Sequence, residues 1–197
     1  MRPQALRALP ARAPLPAARR PFITLPGTTP QTLTATRSIP YPPTPLYEMI
    51  ADVDSYASFV PYCSSSTVTQ WSAPDASGRR WPTLGTLRVG WGGFEESFTS
   101  RVTCVPSSLV EARSGEAAGF GGSSVLKSLV TRWSFAPREV GGREGAEVGL
   151  KITFEFANPL YAAVSAAVSE TVAKTMIEAF EAHARRVLGT DKLGSRL

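Results

Sequence analysis

Histidine and cysteine are nearly missing from this chain of 197 residues: His183 is the single histidine, and Cys63 and Cys104 are the two cysteines. One imidazole and two distant thiols make neither a metal-type spacing nor a disulfide framework, so no metal site is expected. His183, with Glu178 and Glu181 as ordinary helix-surface neighbours, reads as a structural or dipole-related residue. The glycine-rich GFGGSS at 119–124 lacks the GK[ST] ending of a phosphate loop and the G-x-S-x-G spacing of a nucleophile elbow, which leaves a mobile loop carrying Phe120. No stretch reaches about 18 consecutive apolar residues, so no transmembrane helix is expected. Asp and Glu are absent from residues 1–47, where Arg2, Arg7, Arg12, Arg19, Arg20 and Arg37 lie. The formal charge of +5 therefore belongs to that leader, because the remainder carries 15 basic against 16 acidic side chains. A basic surface of the kind nucleic acid needs is not expected of the folded part.

An acid-free leader rich in Arg, Ala, Pro and Thr, without a secretory apolar run, matches a transit peptide. The expected division is a disordered transit peptide at 1–30, one domain at 31–189 and a disordered tail at 190–197. With 43% hydrophobic residues the domain has material for one filled core. Gln31 to Tyr41 is β-leaning. Thr44 is expected to cap a short helix from Pro45 and Leu46 to Ala51, and a second short turn carries Asp52, Asp54, Tyr56 and Phe59. Strands follow at Cys63 to Trp71, on either side of the Gly92-Gly93 hairpin, and at Leu109 to Arg113. Another, through Leu129 to Phe135, is expected to end at Pro137, with GGREG as the next turn. The last strand alternates Val148, Leu150, Ile152, Phe154 and Phe156 against Lys151, Thr153 and Glu155. One apolar face per strand and short loops make an antiparallel meander.

Its cover is a helix expected over 159–188, about 45 Å long, with Asn158 as N-cap, Pro159 at N1 and Gly189 as the stop. Apolar residues recur along it at i+4 (Leu160, Val164, Val168, Val172, Met176, Phe180), a row that winds about 40° per step. Its first half is thin, with Ala162, Ala163, Ser165, Ala166 and Ala167 between the larger residues. Trp91, Phe98, Trp133, Phe135, Phe154 and Phe156 face the same interior. They fill a core or line a ligand cavity, and periodicity leaves both readings open. Among polar groups, strand phase turns Glu96, Ser100 and Thr131 inward, the minimum an acid–base enzyme would need.

This order of elements resembles the helix-grip fold of the START-like superfamily, an α+β architecture in which a curved antiparallel sheet of about seven strands wraps a long C-terminal helix, with two short helices after the first strand. Tyr47 to Cys63 (YEMIADVDSYASFVPYC), Leu129 with Arg132-Trp133-Ser134-Phe135, Phe154-Glu155-Phe156, Asn158-Pro159-Leu160-Tyr161, and Met176 with Ala179-Phe180-Glu181 resemble the mitochondrial coenzyme Q-binding proteins across residues 33–188. The loops SAPDASGRRWP and GEAAGFGGSSV depart from that pattern.

The resemblance implies a non-catalytic protein with no catalytic cofactor, peripheral on the matrix side of the mitochondrial inner membrane. It would bind ubiquinone and support respiration and ubiquinone biosynthesis, with biosynthetic or respiratory complexes as partners and no nucleic acid. The implied cavity takes Phe59, Val60, Tyr62, Val89, Trp91, Phe98, Leu129, Trp133, Phe135, Phe154, Phe156, Tyr161, Val164, Val168 and Val172. Its opening is expected among Phe59 to Tyr62, Phe120, Leu126, Leu129 and the first turns of the long helix. Leu160 to Val172 would be the ligand wall and Met176 to Leu188 the anchor. Cyclases and dehydratases share the fold, and a bacterial relative is described as a ribosome-association toxin. Both functions remain as alternatives.

Overall fold

The computed structural model describes residues 30–91, 94–123, 125–158 and 169–194, with the backbone alone at 91, 94, 169–170 and 190–194. Strand β1 (Gln31–Ile39) leads to helix α1 (Pro43–Ala51) and a 3₁₀ turn (Val53–Ser58). The meander follows: β2 (Cys63–Trp71), β3 (Pro82–Trp91), β4 (Phe94–Val105), β5 (Leu109–Gly115), β6 (Leu126–Val140) and β7 (Arg143–Phe156). Helix α2 (Ser169–Gly194) closes the chain. All pairings are antiparallel, in the order β1-β7-β6-β5-β4-β3-β2, so β1 returns to pair with the last strand. The seven strands, two short helical segments and C-terminal helix are those of the expected helix-grip fold.

Directly paired residues share a face, which lets the concave surface be read in rows. Cys104, Val110, Trp133, Leu150 and Ala35 make one row; Val102, Ala112, Thr131, Ile152 and Leu33 make the next. Near α1 these rows are sealed: Leu46, Tyr47, Ile50, Val148 and Leu150 are all within 2% of full burial. Towards the other end the inward residues Leu87, Val89, Phe98, Leu126 and Phe156 are half-buried.

Several local expectations are corrected. Helix α1 begins at Pro43, and Thr44 does not cap it; its hydroxyl lies 2.8 Å from that of Ser107, tying α1 to the β4–β5 turn. Strand β6 runs through Pro137 to Val140. Phe135 N–H points to the Ser108 carbonyl at the start of β5, so position 137, two residues on, points past the end of β5 and no ladder bond is lost to proline. The turn after β6 is Gly141-Gly142 alone, both at positive φ (59° and 73°), the two-residue geometry that fits strand twist. The loop after β2 is organised by Asp75, which accepts from Ser77 N–H, Arg79 N–H and Trp81 Nε1–H. The Ser77 hydroxyl and Trp81 indole hold that carboxyl down, at about 2.

Helix α2 continues through Gly189 to Gly194, because a single glycine costs a helix only about 1 kcal/mol. Its buried stripe is Ala173, Ile177, Phe180 and Ala184, which shares Phe180 with the i+4 row, while Val172 and Met176 of that row are half-buried. Alternating steps of four and three stay on one face, whereas successive steps of four drift off it. Within the stripe Phe180 is the centre: its ring meets Trp133 at 4.5 Å, Phe59 at 4.9 Å and Tyr56 at 5.3 Å. Arg37 on β1 ties the outer flank of α2 through Glu178 (3.5 Å) and Glu181 (3.7 Å). The expected first turns of the helix, 159–168, lie outside the described residues. Phe180→Ala, which empties the contact of three rings, should lower unfolding free energy by about 3–5 kcal/mol in urea titrations.

Candidate functional site

Strand β5 is the short one. Its last pairs are Ser100↔Ser114 with β4 and Gly115↔Ser128 with β6, and both neighbours run on past it. Gly115 ends it sharply: φ is +64°, and a Cβ there would stand 2.4 Å from the Lys127 carbonyl oxygen. The chain then makes a 3₁₀ turn (Glu116–Ala118) and crosses the gap. A cavity of about 390 Å³ lies there, between β4, β5, the start of β6 and the glycine loop. Phe98, Phe120, Leu126 and Leu129 supply its apolar lining, with Ser114, Gly115 and Gly122 beside them.

The glycine-rich segment, expected to be mobile, is tied at several points. Arg101 Nε donates to the Ala118 carbonyl at 2.8 Å, and its guanidinium sits 5.0 Å from the centre of the Phe120 ring. Val125 N–H donates to Glu96 Oε1 at 3.2 Å, and Ser123 N–H to the Leu126 carbonyl at 2.8 Å. Lys127 joins Glu155 (2.9 Å) and Glu116 (3.6 Å), and the Glu155 bond raises its pKa. Arg101, by sequence an ordinary surface-strand charge, and Glu96, expected to face inward, thus hold the loop over the gap.

The cavity brings together Phe98 and Leu129 of the expected lining residues, with Leu126 and Phe120 of the expected opening. Trp133, Phe135 and Phe154 are in the sealed core, at 3%, 5% and 7% exposure, and Phe156 meets Phe154 edge-on at 5.3 Å. Val89 is half-buried opposite Cys63 and Glu96. Phe59 packs among Tyr56, Phe180 and His183, Val60 is half-buried beside it, and Tyr62 is 55% exposed. Val172 is half-buried on α2. The Trp91 side chain and Tyr161, Val164 and Val168 lie outside the described residues. Alternation identified inward positions, but not which of them β5 leaves uncovered. The early stop at Gly115 depends on a close approach to Lys127 that no sequence pattern announces.

The polar side chains lining the cavity are the hydroxyls of Ser97, Thr99, Ser114, Ser123 and Ser128. Ser100 and Ser114, both buried, place their hydroxyl oxygens 2.7 Å apart on the concave face. Thr131 is half-buried one row further in. The thiols are poor nucleophiles: burial raises Cys63 and pushes Cys104, beside Tyr47, up to about 11. Burial likewise raises the phenol of Tyr56, whose hydroxyl donates to the Ile50 carbonyl. Among the described residues no group of three His, Cys, Asp or Glu side chains is placed to hold a metal ion. His183 stacks flat on Phe59, 3.8 Å between ring centres, with Arg186 2.8 Å from Nδ1. Burial and the Arg186 charge lower its pKa, against a weaker opposing effect of Asp52.

Two outcomes follow from this geometry. Gly115→Ala should destabilise the domain by about 1–3 kcal/mol in urea titration, since strain and a backbone collision coincide. His183 takes up a proton more readily in the unfolded chain, so its contribution to stability is complete above about pH 6.5 and is lost as pH falls below it. His183→Phe, which keeps the stack, should flatten the urea-midpoint profile in that window.

Residues 39–181 match the family described as polyketide cyclase / dehydrase and lipid transport. The mitochondrial coenzyme Q-binding protein coq10 of Schizosaccharomyces pombe is 33% identical over 77% of this chain and 85% of its own length. The ribosome association toxin RatA of Pseudomonas aeruginosa is 28% identical over 77% of this chain and 93% of its own. A START superfamily protein from Mycobacterium smegmatis superposes with a TM-score of 0.63 at 12% identity, over 79% of this chain and 98% of that one. With a START-like sheet and helix, a matched family model over most of its length and this degree of identity, the chain belongs to the polyketide cyclase / dehydrase and lipid transport family and, within it, to the coenzyme Q-binding proteins.

Proposed function

We propose that this protein binds ubiquinone non-catalytically and acts as its carrier or chaperone, peripheral on the matrix side of the mitochondrial inner membrane. The observation that carries the reading is the cavity itself: Phe98, Phe120, Leu126 and Leu129 surround a space of about 390 Å³ in a chain whose kin are named for coenzyme Q. Residues 1–30 act as the transit peptide. No described helix is long and apolar enough to cross a membrane, in keeping with peripheral attachment.

The mechanism is one of phase transfer. An isoprenoid chain leaves the bilayer for an apolar cavity, and each methylene kept from water contributes about 0.8 kcal/mol. The protein then supplies quinone to respiratory electron transport and to the enzymes of ubiquinone biosynthesis. The convex face pairs its cations with acids, Arg113 and Arg132 on Glu111 and Arg138 on Glu147, an arrangement that suits a carrier better than an RNA-binding surface.

Protein purified from a host that makes ubiquinone should release it on solvent extraction, detected by mass spectrometry in near-stoichiometric amount. Phe98→Asp, which puts a charge into the cavity, should lose most of that quinone while keeping a cooperative thermal transition. A wild-type extract without quinone would overturn the reading. Quinone retained by the folded variant would exclude this cavity as its site.

A further inference from the structure

We propose that the buried hydroxyl pair Ser100–Ser114 is the head-group site of the cavity, donating a hydrogen bond to a ring carbonyl oxygen of a quinone bound ring-inward. This rests on the quinone-binding reading above and adds to it an orientation and a polar contact. The β4–β5 register sets the two serines opposite one another on the concave face, with Gly85 across from Ser100 and Leu129 across from Ser114. Only 6% and 3% of their surfaces remain exposed, and Ser114 lines the cavity.

A count of protons makes the case. Two hydroxyls carry two protons, and the 2.7 Å contact uses one of them. Neither side chain makes another hydrogen bond among the described residues. One donor is therefore left over at a buried site, a situation that costs about 1–3 kcal/mol unless an acceptor arrives. When Ser100 donates to Ser114, the Ser114 proton is available to the cavity. Beside it Phe98, Leu126 and Leu129 carry no polar side-chain atom, and the lining hydroxyls of Ser97, Thr99 and Ser128 belong to the opposite strand phase. Thr99 is engaged with Thr86 on the opposite face, and the Ser123 hydroxyl with Leu126.

A benzoquinone ring with methoxy substituents carries acceptors and no donor, the complement of a single spare hydroxyl proton. Size points the same way. About 390 Å³ is near the lower end of ligand pockets, enough for a ring and the start of a chain but not for a long polyprenyl tail. With the ring at the serines, the tail leaves past Phe98, Leu126 and Phe120.

The test compares decylubiquinone with decylbenzene, which has the same chain and no carbonyl, by titration calorimetry on the full chain and its Ser114→Ala and Ser100→Ala variants. Equal thermal midpoints establish that the variants are folded. Expected is a loss of about 3- to 10-fold in affinity for decylubiquinone alone. The carbonyl stretch of bound decylubiquinone should lie lower in frequency in wild type than in Ser114→Ala. Unchanged quinone affinity, an equal loss for both ligands, or an identical carbonyl stretch would overturn the head-group assignment while leaving quinone binding intact. A wild-type chain that binds no decylubiquinone would remove the quinone reading and this proposal with it.

Discussion

Phe180 is the contact on which the arrangement of the sheet, the helix and the cavity rests. Its ring is held by Trp133 from the sheet and by Tyr56 and Phe59 from the segment between α1 and β2. Two separate parts of the chain therefore meet on one helical side chain. Once that knot is tied, α2 is fixed along the concave face near α1, and the opposite end of the sheet keeps half-buried apolar residues. A sealed end and an open end are two results of the same packing.

The open end owes its shape to an inequality of strand lengths. Because β5 stops at Gly115 while β4 and β6 continue, the sheet has a gap, and closing it falls to the glycine loop. Arg101 and Glu96 secure that loop by its carbonyl and amide groups, not by packing. Glycines suit such a span, since Gly122 already brings the backbone to within contact of Lys127 and a larger residue would push it away. The cavity is thus bordered on one side by a cover held at discrete polar points, beside a core that is held everywhere.

Much of this was legible in the residues. Alternation in β7 and β4 gave the inward faces, and the spacing of elements pointed to the grip of sheet on helix. Interruptions were harder to read. Pro137 looked like a strand terminus because a proline lacks a ladder donor, yet at that position no neighbouring strand asks for one. Gly189 looked like a helix stop for an equally local reason. Of the i+4 row on the helix, Phe180 is buried but Val172 and Met176 are only half-buried, because Ala173 and Ala184, small enough to vanish from a hydrophobic pattern, are the residues that let the helix approach the sheet. Core aromatics such as Trp133 and cavity aromatics such as Phe98 carry the same periodicity, and only the register of β5 separates them.

The proline in β6 has a consequence for the molecule among its own copies. From Ala136 to Val140 that strand extends beyond β5 with one backbone edge unpaired by it, the kind of edge that recruits strands from other chains. Pro137 removes a donor from that edge, and Arg138 and Glu139 are exposed beside it. A projecting strand end is thereby made a poor template, which guards the chain against edge-to-edge aggregation.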